Sequence, residues 1–129
     1  MGNADIARSF YEAVEGGDLP AGLALLTPDC RWTEMEGLAD AGTFHGPDEV
    51  RDTIFVRIGR EWDGFAFTLD EVLDAGETVV GVGTYSGTFK ATGRSMQARV
   101  VHVFRVRDGK IAAFEQFADT LRIVTAKEA

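Results

Sequence analysis

The chain has 129 residues, a net charge of −8 and 45% hydrophobic residues. This length supports one domain with a substantial core rather than two, so we expect a single domain over residues 1–129. The negative charge argues against a nucleic-acid partner, because phosphate binding requires clustered Lys and Arg. No apolar run is long enough for a membrane span, no leader pattern is present, and Cys30 has no second cysteine with which to pair. We therefore expect a cytoplasmic protein with no membrane partner.

The first half of the chain has mainly helical patterns. Asn3 is a plausible N-cap for the first helix, Asp18 can cap the second, and Pro47 suits the first turn of the third. In chain order the patterns predict a helix over 4–15, a short helix over 19–26, a turn at 27–29, strands over 30–35 and 42–45, and a helix over 46–59.

Four strands are predicted in the second half, over 65–73, 78–89, 96–106 and 111–118. The segments that separate them contain Gly where a hairpin turn requires a positive φ. Helices followed by strands, without alternating βαβ units, indicate an α+β fold with an antiparallel sheet. We expect the long strands to curve around the helices and to enclose an apolar pocket.

One strand carries a single ionisable ring on an apolar face. Residues two apart share a face of a strand, so His102 lies beside Val100 and Phe104. The opposite face mixes Val101 and Val103 with arginines, which is typical either of an interface or of an ordinary solvated surface. An isolated histidine on an apolar face is either a core residue with satisfied hydrogen bonds or a functional group.

Four stretches, in this order and spacing, resemble the SnoaL-like proteins of the NTF2-like superfamily, which are related to polyketide cyclases and ketosteroid isomerase. The stretches are FYEAVEGGDLPAGLALLTPDCRW, GTFHGPDEVRD, TYSGTFKATGR and VVHVFRVRDGKIAAFEQFADT. The resemblance implies an NTF2-like cone, in which a curved, mostly antiparallel sheet wraps around three helices of the N-terminal half and encloses a deep apolar pocket. It also implies a homodimer that packs through the outer face of the sheet.

The resemblance to ketosteroid isomerase places Glu34 at the position of the catalytic carboxylate and His102 at the position of a carboxyl that donates to the substrate oxygen. A tyrosine that also donates to that oxygen falls on Phe10, with Tyr11 adjacent but about 100° around the helix. Some SnoaL-like cyclases use an aspartate late in the last strand, which makes Asp119 a further acid/base candidate.

These residues suit acid/base chemistry on a carbonyl compound. Burial raises the pKa of a carboxyl towards that of a useful base, and an imidazole N–H can stabilise an enolate oxygen. Alternatively, Glu34 and His102 hydrogen-bond each other as a structural pair, or Glu34 points to solvent. The residues expected to contact the substrate are Phe10, Tyr11, Val14, Trp32, Phe104, Phe114 and Gln116.

No spacing of His, Cys or acidic residues predicts a metal site, and no glycine-rich motif predicts a nucleotide. We therefore expect no metal and no cofactor. The leading hypothesis is an isomerase, cyclase or dehydratase that acts on a small hydrophobic carbonyl compound. The alternatives are a binding protein without catalysis and a protein-interaction module of the transport-factor type.

Overall fold

The computed structural model describes residues 2–129. Its fold is α+β, with a curved, unclosed sheet of six strands and helices mainly in the N-terminal half, as the sequence predicts. The elements in chain order are α1 (Asn3–Glu15), α2 (Leu19–Leu23), β1 (Leu26–Glu34), β2 (Gly42–His45), α3 (Gly46–Val50), a π-helical segment (Arg51–Phe55), α4 (Val56–Glu61), β3 (Trp62–Ala75), β4 (Thr78–Phe89), β5 (Ser95–Arg107), β6 (Lys110–Ala118) and α5 (Thr120–Lys127).

The strand order across the sheet is β2-β1-β6-β5-β4-β3. Consecutive strands from β3 to β6 form antiparallel hairpins, whereas β1 pairs with β6 in parallel. The parallel pair joins the first strands of the chain to the last one. Strands from the first and last parts of the chain are therefore neighbours in the interior of the sheet.

The core lies between α1 and the inner face of the sheet. α1 buries Ile6, Ala7, Phe10 and Tyr11, which repeat on one side of the helix and contact β3, β4, β5 and β6. On β5 burial alternates with a period of two and places His102 inward, as the sequence predicts. Because α1 packs along the concave face of the curved sheet, a space remains between them at one end of the core.

Several predicted boundaries are wrong. Thr27–Asp29 is not a turn but part of β1, next to an irregularity in the pairing with β6. Gly59 does not end the third helix, which continues to Glu61 after the π-helical segment. Gly2, not Asn3, occupies the N-cap of α1, and Asn3 is the first residue of the helix, with its side-chain amide donating to the Gly76 carbonyl oxygen at 2.9 Å.

The helix at the C-terminus has no counterpart among the predicted elements. Asp119 caps α5, its carboxylate accepting from the Arg122 backbone N–H, while Ile123 and Ala126 are buried against the sheet. The Thr92 hydroxyl donates to the Ala126 carbonyl oxygen at 2.6 Å and fixes the last turn. The helix therefore covers the rim of the sheet beside the turn between β4 and β5.

Gly46 is required where β2 turns into α3. Its φ is +82°, and a Cβ at this position would lie 2.8 Å from the Pro28 carbonyl oxygen. Only glycine adopts such a conformation without steric cost, and the contact with backbone leaves little room for relaxation. Gly59, on the same long helix, has nothing within 4 Å of the corresponding Cβ position.

Substitution of Gly46 and of Gly59 by alanine should change the free energy of unfolding in opposite directions. Gly46→Ala should lower the free energy of unfolding by about 1–3 kcal/mol, because it forces a strained backbone conformation. Gly59→Ala should raise it by up to about 1 kcal/mol, because alanine is the better helix former. Urea denaturation of the two variants tests this, and equal effects would contradict the assigned backbone geometry.

Candidate functional site

An inner cavity of about 200 Å³ lies between α1, the π-helical segment, α4 and the concave face of the sheet. Its walls are mostly aromatic, and its polar groups are few, as in small-molecule sites of proteins. The residues that line it are Phe10, Tyr11, Val14, Glu15, Trp32, Glu34, Ile54, Phe55, Ile58, Phe65, Phe67, Tyr85, His102 and Phe114. We call this space the inner cavity.

A row of four residues crosses the sheet beside the inner cavity. Glu34 on β1 pairs in register with Gln116 on β6, which pairs with His102 on β5, which pairs with Gly81 on β4. Neighbouring strands lie close to 5 Å apart, so residues in one register row project from adjacent points on one face. Strand register therefore brings residues from distant parts of the chain to one end of the inner cavity.

His102 is held between two tyrosines. Its Nδ1 lies 2.8 Å from the Tyr11 hydroxyl oxygen and its Nε2 lies 2.6 Å from the Tyr85 hydroxyl oxygen. The ring is only 4% exposed. Since both ring nitrogens already have partners, His102 is not free to donate to a substrate oxygen, which corrects the role expected from the sequence. The alternative of a direct hydrogen bond between His102 and Glu34 has no counterpart among the hydrogen bonds of residues 2–129.

Burial keeps this group of three residues neutral. It lowers the pKa of His102 to about 3 and raises the pKa of both tyrosines well above the ordinary value. For Tyr85 the negative charge of Glu34 adds to this rise, while the hydrogen bond from Gln116 opposes it. At neutral pH the imidazole therefore carries one N–H, and each tyrosine keeps its hydroxyl hydrogen.

The count of hydrogens leaves one hydroxyl hydrogen unused. Two hydroxyls and one imidazole N–H supply three hydrogens, and the bonds to His102 use two of them. If Tyr85 donates to His102, the imidazole donates to Tyr11 and the Tyr11 hydroxyl hydrogen is left over. In the other tautomer the spare hydrogen is on Tyr85, whose oxygen accepts from Gln116 Nε2 at 3.1 Å. We call these three residues the Tyr–His–Tyr chain.

Gly81 makes room for this arrangement. A Cβ at Gly81 would overlap the hydroxyl of Tyr11, so a larger residue would push that hydroxyl away from His102. Phe10, the neighbour that the family comparison placed at the tyrosine position, packs instead against Trp32 and Phe104. Tyr11 is therefore the residue of α1 that carries a hydroxyl to the site.

Glu34 is a buried carboxyl without a counter-ion. Its side chain faces the inner cavity, the residue is 5% exposed, and Oε2 has no hydrogen-bond partner within residues 2–129. Burial, reinforced by the negative charge of Asp40, raises the pKa of Glu34 to about 8. The Trp32 indole N–H lies near enough to lower it slightly, without forming a well-aligned hydrogen bond.

The structure brings together most of the predicted contact residues but not all of them. Phe104 is fully buried behind the wall and does not line the inner cavity. Gln116 lines a smaller adjoining space together with Glu34 and Tyr85. Asp119 does not line either space, because its carboxylate caps α5 and pairs with Arg122.

Sequence reasoning missed Tyr85 and Phe67. The inward face of β4 reads Val79, Gly81, Gly83, Tyr85, so a large polar ring after two glycines was the available signal. Gly83 makes room for Phe67, since a Cβ there would lie 2.5 Å from that ring. Small residues on a concave strand face thus mark where large side chains approach from other elements.

Two further properties of the described chain bear on function. Residues 2–129 contain no group of three or more His, Cys, Asp or Glu side chains arranged to hold a metal ion. Within the same range, no helix combines the length and the apolar character needed to cross a membrane.

The SnoaL-like domain model matches residues 7–114, which is most of the chain. The chain belongs to the SnoaL-like domain family. No curated protein matches this SnoaL-like domain.

Solved structures share the fold of this SnoaL-like domain. An NTF2-like protein from Burkholderia thailandensis E264 is 46% identical, with a TM-score of 0.97 over 100% of this chain and 99% of that one. An NTF2-like protein of unknown function from Burkholderia pseudomallei K96243 is 36% identical, with a TM-score of 0.89 over the whole of both chains. A protein from Catenulispora acidiphila with a ketosteroid isomerase-like fold, in complex with trimethylamine, is 16% identical, with a TM-score of 0.83 over 98% of this chain and 93% of that one. At that identity only the fold is shared.

The pKa of Glu34 predicts how the stability of this SnoaL-like domain depends on pH. Between its ordinary pKa of 4.5 and about 8, the folded protein holds a proton that the unfolded chain has lost. The stabilisation is therefore complete below pH 4.5 and is lost as the pH rises towards 8. His102 acts in the opposite sense, but only between about 3 and 6.5. From pH 6.5 to 8 the free energy of unfolding should fall by up to about 1.4 kcal/mol per pH unit.

Glu34→Gln should remove this fall, because glutamine does not titrate. Glu36→Gln, which makes the same change at an exposed position, should retain it. Urea denaturation at several pH values measures the slope, and parallel slopes for wild type and Glu34→Gln would contradict the assignment.

Proposed function

We propose that this protein is a cofactor-free acid/base enzyme that acts on a small, largely apolar carbonyl compound in the inner cavity. The observation that carries the proposal is the buried Glu34 carboxyl, which has no counter-ion and lines the same cavity as the two tyrosines and the histidine of the Tyr–His–Tyr chain. A proton acceptor and a hydroxyl donor on one small space are the two groups that enolisation requires. Membership in the SnoaL-like family is consistent with such a role.

In the proposed reaction, the Glu34 carboxylate removes a proton from the carbon next to the carbonyl. The electron pair of the broken C–H bond forms a C=C bond, and the carbonyl oxygen becomes an enolate oxygen. The spare hydroxyl hydrogen of the Tyr–His–Tyr chain donates to that oxygen. The Glu34 acid then protonates another carbon of the enolate, which gives isomerisation, or it first exchanges its proton with solvent and then protonates the same carbon, which gives isotope exchange.

In this mechanism His102 positions the tyrosines and does not touch the substrate. A neutral imidazole that donates to one tyrosine and accepts from the other fixes both hydroxyl oxygens near the end of the inner cavity. Preorganised donors of this kind need no rearrangement when charge develops on the substrate oxygen. Aromatic walls exclude water, which strengthens the hydrogen bond to that oxygen.

The proposed activity predicts exchange of deuterium into simple ketones. In D₂O the protein should accelerate exchange at the α-carbon of cyclohexanone or acetylacetone over buffer alone, as followed by ¹H NMR. Glu34→Gln should lower the protein-dependent rate by about 10²-fold or more, because it removes the base. The wild-type rate should rise with pH and level off above about 8, where Glu34 is ionised.

Glu36→Gln serves as the control and should leave the exchange rate unchanged. Tyr11→Phe and Tyr85→Phe identify the donor, since the variant that removes it should lose about 10²–10³-fold. Saturable binding of the ketones without any acceleration of exchange would contradict catalysis and favour a binding protein.

For the quaternary structure we propose a homodimer that packs through the outer face of the sheet. Val101 on β5 lies beside Val82 on β4 and Phe117 on β6, and Phe117 is 43% exposed. Arg99 borders this apolar group, while Glu115 on β6 supplies opposite charge. A surface with an apolar centre and both charges at its edge is complementary to a second copy of itself.

The dimer proposal predicts that Val101→Lys yields a monomer, because it places a charge at the centre of the apolar group. Val56→Lys is the control, since Val56 is an exposed valine that lies on α4 and not on the sheet. Light scattering coupled to size-exclusion chromatography should give a dimer for wild type and Val56→Lys. A monomeric wild-type protein would contradict the proposal.

A further inference from the structure

We propose that the inner cavity binds a compact ammonium ion, with the Glu34 carboxylate as counter-ion and the aromatic walls as a cage. The inference deepens the proposed function, since it gives the carbonyl substrate a positively charged substituent and rests on that function for turnover. Binding is measured without turnover, so either proposal can fail alone.

The charges around the inner cavity are the first support. Glu34 and Glu15 are the acidic residues that line it, and the exposed Glu15 accepts from the Phe67 backbone N–H at 3.1 Å. No Lys or Arg of the described chain lines this space. The negative potential therefore disfavours a ligand that carries a carboxylate and favours one that carries a cation.

The nearest basic groups lie in the adjoining space and are engaged elsewhere. Arg57 Nε pairs with Glu61 at 2.6 Å, and Lys127 Nζ lies 5.7 Å from the centre of the Phe89 ring. The buried Oε2 of Glu34 consequently has no cation of the described residues as its partner. A buried carboxylate needs a partner to remain charged, and a ligand is the available source.

The walls have the second property that a cation requires. Eight Phe, Tyr and Trp side chains line the inner cavity, among them the stacked pair of Trp32 and Phe114, whose ring centres lie 3.7 Å apart. Tyr11 and Phe67 form a second stacked pair at 4.9 Å. The faces of such rings attract a desolvated cation, and aromatic cages recognise quaternary ammonium groups by this interaction.

Binding of a cation should also change the protonation state of Glu34. The charged and titratable groups that surround Glu34 come from one loop and five helices or strands. They are Asp40 in the loop after β1, Tyr85 on β4, His102 on β5, Tyr11 and Glu15 on α1, Arg57 and Glu61 on α4, and Lys127 on α5. His102 and the two tyrosines stay neutral near pH 7. An ammonium group would release the Glu34 proton to solvent and leave the carboxylate form, which is the base in the proposed reaction.

Three probes of nearly equal size test the inference by calorimetric titration at pH 9. Choline carries a trimethylammonium group, 3,3-dimethyl-1-butanol replaces its nitrogen by carbon, and 3,3-dimethylbutanoate carries a carboxylate. Choline should bind at least tenfold more tightly than the alcohol, and the carboxylate should bind most weakly. Equal affinities for choline and the alcohol, or no saturable binding of choline, would overturn the proposal.

The pH dependence of the affinity for choline separates recognition of charge from recognition of molecular shape. The affinity for choline should fall about tenfold from pH 9 to pH 7, because the Glu34 proton must then be displaced. The affinity for the neutral alcohol should not change over this range. A choline affinity that is independent of pH would contradict the assigned counter-ion.

Glu34→Gln removes the negative charge of the proposed counter-ion and keeps the size of the side chain nearly unchanged. It should reduce the affinity for choline at least tenfold and leave that for the alcohol within twofold, whereas Glu36→Gln should change neither. Circular dichroism confirms that the variants are folded, and if Glu34→Gln is not, the three probes on the wild-type protein decide. Choline binding without ketone exchange would support this inference and contradict catalysis. Ketone exchange without choline binding would support catalysis and contradict this inference.

Discussion

The arrangement of this site depends on how the buried imidazole of His102 is satisfied. Tyr11 comes from α1 and Tyr85 from β4, and each hydroxyl bonds one nitrogen of a ring on β5. An unpaired polar ring in this core would be costly, so the bond with Tyr11 ties α1 to the sheet and the bond with Tyr85 joins two neighbouring strands. The glycine at position 81 permits the approach. Shape and polarity of the inner cavity follow from this one set of contacts.

Two buried ionisable groups of the site, His102 and Glu34, differ in how their polar atoms are paired. His102 has a partner on each nitrogen and belongs to the framework. Glu34 has an oxygen without a hydrogen-bond partner in the described chain, although it is buried to a similar extent. Native proteins leave few buried polar atoms unpaired. For this reason both proposals assign ligand recognition to the unpaired carboxyl of Glu34.

The sequence predicted the fold class, the inward face of β5 and the presence of His102 and Glu34 at a common cavity. The alternation of apolar and polar residues along the strands and the resemblance to a known family were sufficient for these predictions. The partners of His102 could not be predicted, because Phe10 and Tyr11 both become buried when α1 lies in a concave sheet. Helix α5 escaped prediction because TLRIVTAK contains Thr, Ile and Val, whose preference is for strands, and tertiary packing overrides it.

The parallel pairing of β1 with β6 has a consequence for how the protein is made. Glu34 and Trp32 lie on a strand that is synthesised early, yet in the described sheet that strand joins the four-stranded hairpin region only through β6. Contacts between residues so distant in the chain form late and slow the folding of a domain. On the ribosome, the pairing of β1 with β6 must wait until β6 has emerged. The end of the cavity that carries Glu34 can thus be completed only after β6 has been synthesised.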